Sequence, residues 1–210
     1  MMETSRPVAV DRPARGRRQR TSHAELERVA FGLFAEKGFD QTTIDDIAEA
    51  AGIGRRTFFN YYASKNDLVW GRFEHDVARL RRLLAAAPPD VPIMDALREA
   101  VVEFNTYDPS VLPEHRTRMR LILNVPALQA DSTLRYHLWA AAVAEFVAHR
   151  TGHPVDGLVP RLVGQTALAA AITAYRQWLD DESSDLTALI AEAMRLIGTG
   201  FTDEALTADR

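Results

Sequence analysis

No cysteine occurs among the 210 residues. That absence excludes disulfides, thiolate nucleophiles and every Cys-ligated metal site, zinc fingers included. Long hydrophobic runs are also missing. No stretch of about 18 uncharged apolar residues could span a bilayer. The most apolar segment, Leu138–Ala148 (LWAAAVAEFVA), is too short and contains Glu145. The N-terminal SRPVAVDRPARGRRQR lacks the apolar centre of a secretory signal, so the expected location is the cytoplasm, with no membrane partner. Catalytic signatures are absent as well: there is no Walker loop, no G-x-S-x-G elbow and no H-E-x-x-H. GIGRRT (52–57) superficially looks like a nucleotide-binding loop, but no strand precedes it and the third glycine is missing. His149 and His153 are spaced like metal ligands on a helix, yet Gly152 and Pro154 interrupt that helix. Neither an enzyme nor a cofactor or metal is expected. Alternating apolar and polar residues, the mark of a strand, are not found, which leaves an all-α fold.

What is present is an ordinary globular composition, 47% hydrophobic and 26% charged, enough to bury a core without staples. The net charge of −4 conceals an asymmetry. Residues 1–66 carry eleven Arg/Lys against nine Asp/Glu, and residues 67–210 carry fourteen against twenty. Arg12, Arg15, Arg17, Arg18 and Arg20 form an acid-free run, read either as a solvated tail or as an arm (1–21) that lies along a polyanion.

Helical punctuation then begins. Ser22 with Glu25 makes a capping box, Leu26, Val29, Ala30, Leu33 and Phe34 recur at helical spacing, and Gly38 ends the first helix. Thr43 caps a second helix that Gly52 ends, and a third covers 55–61. Ser64 and Asp67 open a fourth, read as one continuous helix to about Ala87, where Pro88-Pro89 stops it. Five more are expected near 92–106, 114–124, 127–150, 157–181 and 185–199, followed by a frayed tail (201–210).

Two short helices joined by AGIG fit a helix-turn-helix spanning a domain of residues 22–66. Within GRRTFFNYY, Phe58 and Tyr62 lie four apart and should face Ile47, Ile53, Leu33 and Phe34 in the core. Arg55, Arg56, Thr57 and Asn60 face outward with the chemistry that reads base edges: arginine for guanine, asparagine for adenine, a threonine methyl for thymine. Phe59 and Tyr61 flank them, and Lys65 is placed to meet phosphate.

TTIDDIAEAAGIGRRTFFNYYASKNDL resembles the DNA-binding domain of the TetR family of transcriptional regulators, through T-x-x-D-I-A-x-A-A-G, R-x-T-F-F-x-Y-Y and S-K-x-D-L. The resemblance implies phosphate contacts from Thr43, Tyr61 and Lys65, whereas Phe59 stands where a tyrosine is usual and lacks its hydroxyl. Longer stretches, among them LRRLLAAAPPDVP and RMRLILNVPALQADSTLRYHLW, look like the TetR-type regulators encoded beside mycofactocin biosynthesis genes. That likeness implies a long-chain acyl-CoA as effector.

The remaining residues, 67–200, then form a helical effector-binding and dimerisation domain. A single recognition helix contacts few bases, so a homodimer on a palindromic double-stranded operator is expected. Gly164, Ala167, Ala171 and Ala174 make a small-residue stripe, read either as the dimer interface or as packing within one subunit. Polar residues scattered among apolar ones, Asn124, Tyr136, Trp139, Gln165 and Tyr175, are candidates for a small hydrophobic effector's pocket. Arg116, Arg118 and Arg120 alternate, so they fan over different faces and are expected at the surface. If the acyl-CoA implication holds, Arg116 and Arg120 would hold its phosphates. The function these features fit best is a ligand-responsive repressor. The competing reading is a DNA-binding architectural or recombination module that takes no effector.

Overall fold

The computed structural model describes residues 21–200, so Arg17 and Arg18, the basic arm before Thr21 and the tail after Gly200 lie outside the described residues. Ten α-helices and one 3-10 turn make up the described chain, with no strand among those residues. They are α1 (His23–Lys37), α2 (Ile44–Ala50), α3 (Arg55–Phe58), α4 (Lys65–Trp70), α5 (Phe73–Ala85), α6 (Ile93–Phe104), α7 (Leu112–Asn124), α8 (Pro126–Thr151), α9 (Leu158–Asp180) and α10 (Leu186–Thr199).

Local chemistry sets the boundaries. The hydroxyls of Ser22, Thr43 and Ser64 accept from the backbone N–H three residues on, and Asp185 does the same for α10. The turn after α2 closes with two reverse bonds, Gly52 N–H to Glu49 (3.0 Å) and Ile53 N–H to Ala48 (2.9 Å). This closure needs a left-handed residue, and Gly52 supplies it at φ +66°. The α-helical part of α3 is shorter than the expected 55–61. Beyond Phe58 the chain tightens, with Tyr61 N–H bonded to the Phe58 carbonyl at 2.9 Å.

The expected long fourth helix is two helices. Gly71 adopts φ +61°, ψ −130° and breaks it into α4 and α5. Arg118 holds the break open. Its Nη1 donates to the Val69 carbonyl at 2.7 Å and would lie 2.8 Å from a Cβ at position 71.

Two cores result. Leu26, Phe31, Phe34, Ile47, Phe58 and Tyr62 pack with Leu68, Val69 and Trp70 of α4 and with Ile122 and Leu128 from α7 and α8. By packing, α4 therefore belongs with α1–α3, and the division falls at Gly71. The second core gathers α5, α6, α8, α9 and α10 around Leu80, Leu97, Val143, Ala167, Trp178 and Ile190. α7 contacts α1, α4, α8 and α9, and so bridges the two cores.

The small-residue stripe faces this second core. A Cβ at Gly164 would sit 2.4 Å from the Ala140 carbonyl of α8, and Ala167, Ala171 and Ala174 are buried inside the subunit. The dimer-interface assignment for these four residues is thereby corrected: they are buried within the subunit, and Gly164 serves the close approach of α8 and α9.

Candidate functional site

At the outer end of the first core, α2 and α3 present a polar surface. Thr43 and Asp46 cap α2 reciprocally, Thr43 N–H donating to Asp46 at 2.8 Å and Asp46 N–H to Thr43 Oγ1 at 3.1 Å. Hydrogen bonds from the Thr43 hydroxyl and N–H, helped by Lys37, hold the Asp46 carboxyl at about 2. Thr43 itself is exposed, as are Arg55, Arg56 and Asn60, while Thr57 is half-buried. Phe58 and Tyr62 are buried beneath them, as their spacing predicts.

Phe59 is 44% exposed and does not contribute a hydroxyl; it carries Arg55 instead. The Arg55 guanidinium lies 5.5 Å from the Phe59 ring and bonds Asp45 at 2.7 Å, which fixes its direction across α2 and α3. The other two expected phosphate contacts are partly committed. Tyr61 donates its hydroxyl proton to the Thr21 carbonyl at 2.5 Å. Lys65 donates to the carbonyls of Phe39 (2.6 Å) and Thr42 (2.8 Å) and sits over the Phe39 ring at 4.1 Å. One ammonium donor of three is left for a phosphate. Burial lowers the Lys65 pKa from its usual value.

Beneath this unit, a cavity of about 120 Å³ lies between α4–α5, α7, α8 and α9. Its apolar wall includes Trp70, Phe73, Met119, Ile122, Trp139 and Leu168, and its polar wall Asp76, Asn105, Tyr107, His115, Arg118, Tyr136 and Tyr175. Tyr175 donates to Asn105 Oδ1 at 2.7 Å, so its oxygen accepts from His115 Nε2–H at 2.9 Å, which fixes the imidazole tautomer. Burial, with the nearby Arg118 charge, pushes the His115 pKa down to about 3, and burial raises those of Asp76 and Tyr175. A second cleft of about 400 Å³ opens outward between α1, α5 and α7. It shares Trp70, Asp76, Tyr107, His115 and Arg118 with the inner cavity.

Of the residues expected to meet an effector, Tyr136, Trp139 and Tyr175 line this cavity. Four do not. Arg116 stacks 3.9 Å from the Trp178 ring and donates to its carbonyl. Arg120 is exposed, and Asn124 is an exposed residue bonded to the Arg120 carbonyl at 2.9 Å. Gln165 lines a separate groove between α8 and α9. Arg118, expected at the surface, is the one that turns inward. Its side chain is 16% exposed, and it reaches Glu27 of α1 at 2.5 Å while packing 4.8 Å from the Phe31 ring. Glu27 in turn accepts from Tyr62 at 2.5 Å. Asp76, Asn105, Tyr107 and His115 were not legible as a group, because they come from three different elements.

Residues 28–69 match the family model for bacterial regulatory proteins, tetR family, and residues 91–202 match that for the MftR C-terminal domain. The chain belongs to the TetR family. Family membership makes it a transcriptional regulator rather than an enzyme, and α2–α3 its DNA-binding helix-turn-helix. Among its TetR-family relatives, a candidate mycofactocin biosynthesis transcriptional regulator, MftR of Mycobacterium tuberculosis, is 45% identical over 186 residues, 89% of this chain and 94% of the relative. The transcriptional repressor LfrR of Mycolicibacterium smegmatis is 33% identical over 75% of this chain and 93% of its own. Similar folds include the TetR-family repressor FadR of Thermus thermophilus, solved with lauroyl-CoA, at TM-score 0.55 and 21% identity over 86% of this chain and 95% of that one. FadR of Bacillus halodurans, a fatty acid degradation regulator, aligns at TM-score 0.63 and 20% identity over 85% and 95%. No helix among the described residues is long and apolar enough to cross a membrane.

Proposed function

We propose that this TetR-family regulator is a dimeric repressor that leaves a palindromic operator when a hydrophobic effector, a long-chain acyl-CoA, enters the cavity beneath its DNA-binding unit. The observation that carries the reading is a shared wall. Arg118 and Trp70 line the cavity and also bond or pack against α1 and α4. A volume of about 120 Å³ is below the roughly 300–1,000 Å³ of occupied ligand pockets. A long chain therefore has to join the inner cavity to the outer cleft, and the residues between them are those that bolt the two cores together. Opening that wall biases the position of α4, and with it the spacing of two recognition helices in a dimer. Lauroyl-CoA in the Thermus thermophilus FadR structure supports the choice of effector class.

On the DNA side, Arg55, Arg56, Thr57 and Asn60 read base edges, while Thr43 and Lys65 meet phosphates. For the dimer, the exposed apolar residues Leu158, Val159 and Leu162 of α9 form the contact in place of the buried small-residue stripe. The operator is to be recovered by selection from random DNA and used in an anisotropy titration. Lauroyl-CoA should weaken binding at least tenfold. Unchanged affinity at saturating lauroyl-CoA would remove the effector assignment, and a monomer in sedimentation at micromolar concentration would remove the dimer.

A further inference from the structure

Two buried hydrogen-bonding groups in the cavity find no partner within the protein. The indole Nε1–H of Trp70 and the hydroxyl of Tyr136 are both sealed from solvent; the indole is unbonded, and the phenol, though near the Ser132 hydroxyl, lacks hydrogen-bonding geometry to it. They are neighbours, their rings meeting edge to face at 5.8 Å, and both line the inner cavity. Trp70 is 7% exposed. An indole N–H only donates, and a phenol donates readily, so what this corner lacks is an acceptor. The opposite polar corner is different in kind: there His115, Tyr175 and Asn105 already satisfy one another.

The surrounding charge decides what sort of acceptor fits. Two guanidinium groups lie close by, Arg118 on the cavity wall and Arg135 5.0 Å from the Trp70 ring. Each already faces two carboxylates: Glu27 and Glu114 around Arg118, Asp67 and Asp131 around Arg135. The buried Nε–H of Arg135 that finds no partner belongs to a residue outside the cavity lining. Asp76 adds a further carboxyl group to the wall. A ligand carboxylate would enter a region whose positive charge is already spent, whereas a neutral carbonyl oxygen pays no such repulsion. The apolar remainder of the lining suits a hydrocarbon body.

We infer that Trp70 and Tyr136 form an acceptor-recognising subsite, which selects ligands bearing a neutral carbonyl oxygen (ketone, amide or ester-type) on an apolar body. This rests on the reading of the cavity as the effector site and deepens it. It also puts the recognised oxygen on the last residue of α4, directly before the Gly71 break, where a ligand bond is felt by the DNA-binding unit.

The cavity is close in size to engineered apolar cavities of about 150 Å³ that take benzene, so single-ring probes test the subsite without opening the wall. The full chain, labelled with 15N, gives one indole N–H signal for each of its three tryptophans, and Trp70→Phe identifies that of Trp70. Acetophenone should move this signal downfield and bind roughly tenfold more tightly than ethylbenzene, which keeps the ring and two-carbon side chain but has no acceptor. Benzoate should bind more weakly than acetophenone. Tyr136→Phe, which removes only an unbonded hydroxyl, should fold normally and reduce the acetophenone preference several-fold. Equal binding of ethylbenzene, an unmoved Trp70 signal, silence of all the probes, or a preference for benzoate would each overturn the neutral-carbonyl subsite. Effector control as such is decided separately by the operator titration with lauroyl-CoA.

Discussion

Arg118→Met tests whether the two cores are bolted through a single guanidinium. The arginine is 16% exposed and Glu27 14%, so their 2.5 Å ion pair is largely out of water. Breaking such a pair from one side costs about 3–5 kcal/mol, because the remaining charge stays buried. Glu27 would keep the Tyr62 hydroxyl at 2.5 Å, which places the loss near the lower end of that range. The Val69 carbonyl also loses its donor at 2.7 Å, about a further 1 kcal/mol, and methionine recovers part of the packing on Phe31. The expected net loss is about 3–4 kcal/mol. Glu27→Gln keeps shape and should cost about 2 kcal/mol. Urea unfolding of the wild type, both single variants and the double variant, at one protein concentration, gives the coupling energy. We expect about 2 kcal/mol. The double variant should still bind operator but respond weakly to effector, since Arg118–Glu27–Tyr62 is the bonded route from the cavity wall to the end of the recognition segment. A coupling below about 0.5 kcal/mol would refute the bolt.

Three other outcomes follow from the same geometry. Arg56→Ala should cost about 1–3 kcal/mol of operator affinity and relax one base preference in a binding selection, whereas Lys65→Met should weaken all sequences alike; it should also lower stability in urea unfolding, because two loop carbonyls lose their donor. His115 is neutral in the fold, with its pKa near 3, and takes up a proton near 6.5 once unfolded. The unfolded chain thus binds more protons between those values, so stability falls as pH drops below about 6.5, by roughly 1.4 kcal/mol per unit from this group. Denaturation at pH 7 and pH 5 should therefore show wild type losing about 2 kcal/mol more than His115→Gln. Gly164→Ala should destabilise the subunit by about 1–3 kcal/mol, since its methyl meets the Ala140 carbonyl, while Leu162→Glu should leave unfolding at low concentration nearly unchanged and shift sedimentation toward monomer.

Most of the fold is legible in the sequence because its signals are local. Ser22, Thr43 and Ser64 each announce a helix with an acidic residue three positions on, and Gly52 is required by a turn that only a left-handed residue closes. The division of the α3 segment into an inner and an outer face is legible for a similar reason: the four-residue spacing of Phe58 and Tyr62 fixes the inner face, which leaves Arg55, Arg56 and Asn60 exposed. The break at Gly71 was hidden because Val69, Phe73, Val77, Leu80 and Leu84 keep helical spacing straight across it. What imposes the break is Arg118, on a helix distant in sequence.

The same limit explains the inner cavity and the α8–α9 contact. Alternation of Arg116, Arg118 and Arg120 shows that they point in different directions; it says nothing about which direction holds Glu27. A stripe of small residues signals that some helix comes close, and Gly164 fits an approach by α8 as well as one by a second subunit. Local sequence therefore specifies the unit that touches DNA, whose elements are consecutive. The cavity is assembled from α4, α5, α7, α8 and α9, and its chemistry lies in pairings between them. This division also says where relatives of the chain can diverge. Changes at Trp70, Tyr136 or the wall around Arg118 would alter what is sensed while leaving the consecutive DNA-binding signature intact. Trp70 is a different case, because it is buried in the DNA-binding core and lines the cavity at once. A substitution there should shift operator affinity and ligand preference together, and Tyr136→Phe, which keeps the ring against that core and removes only the hydroxyl, separates the two.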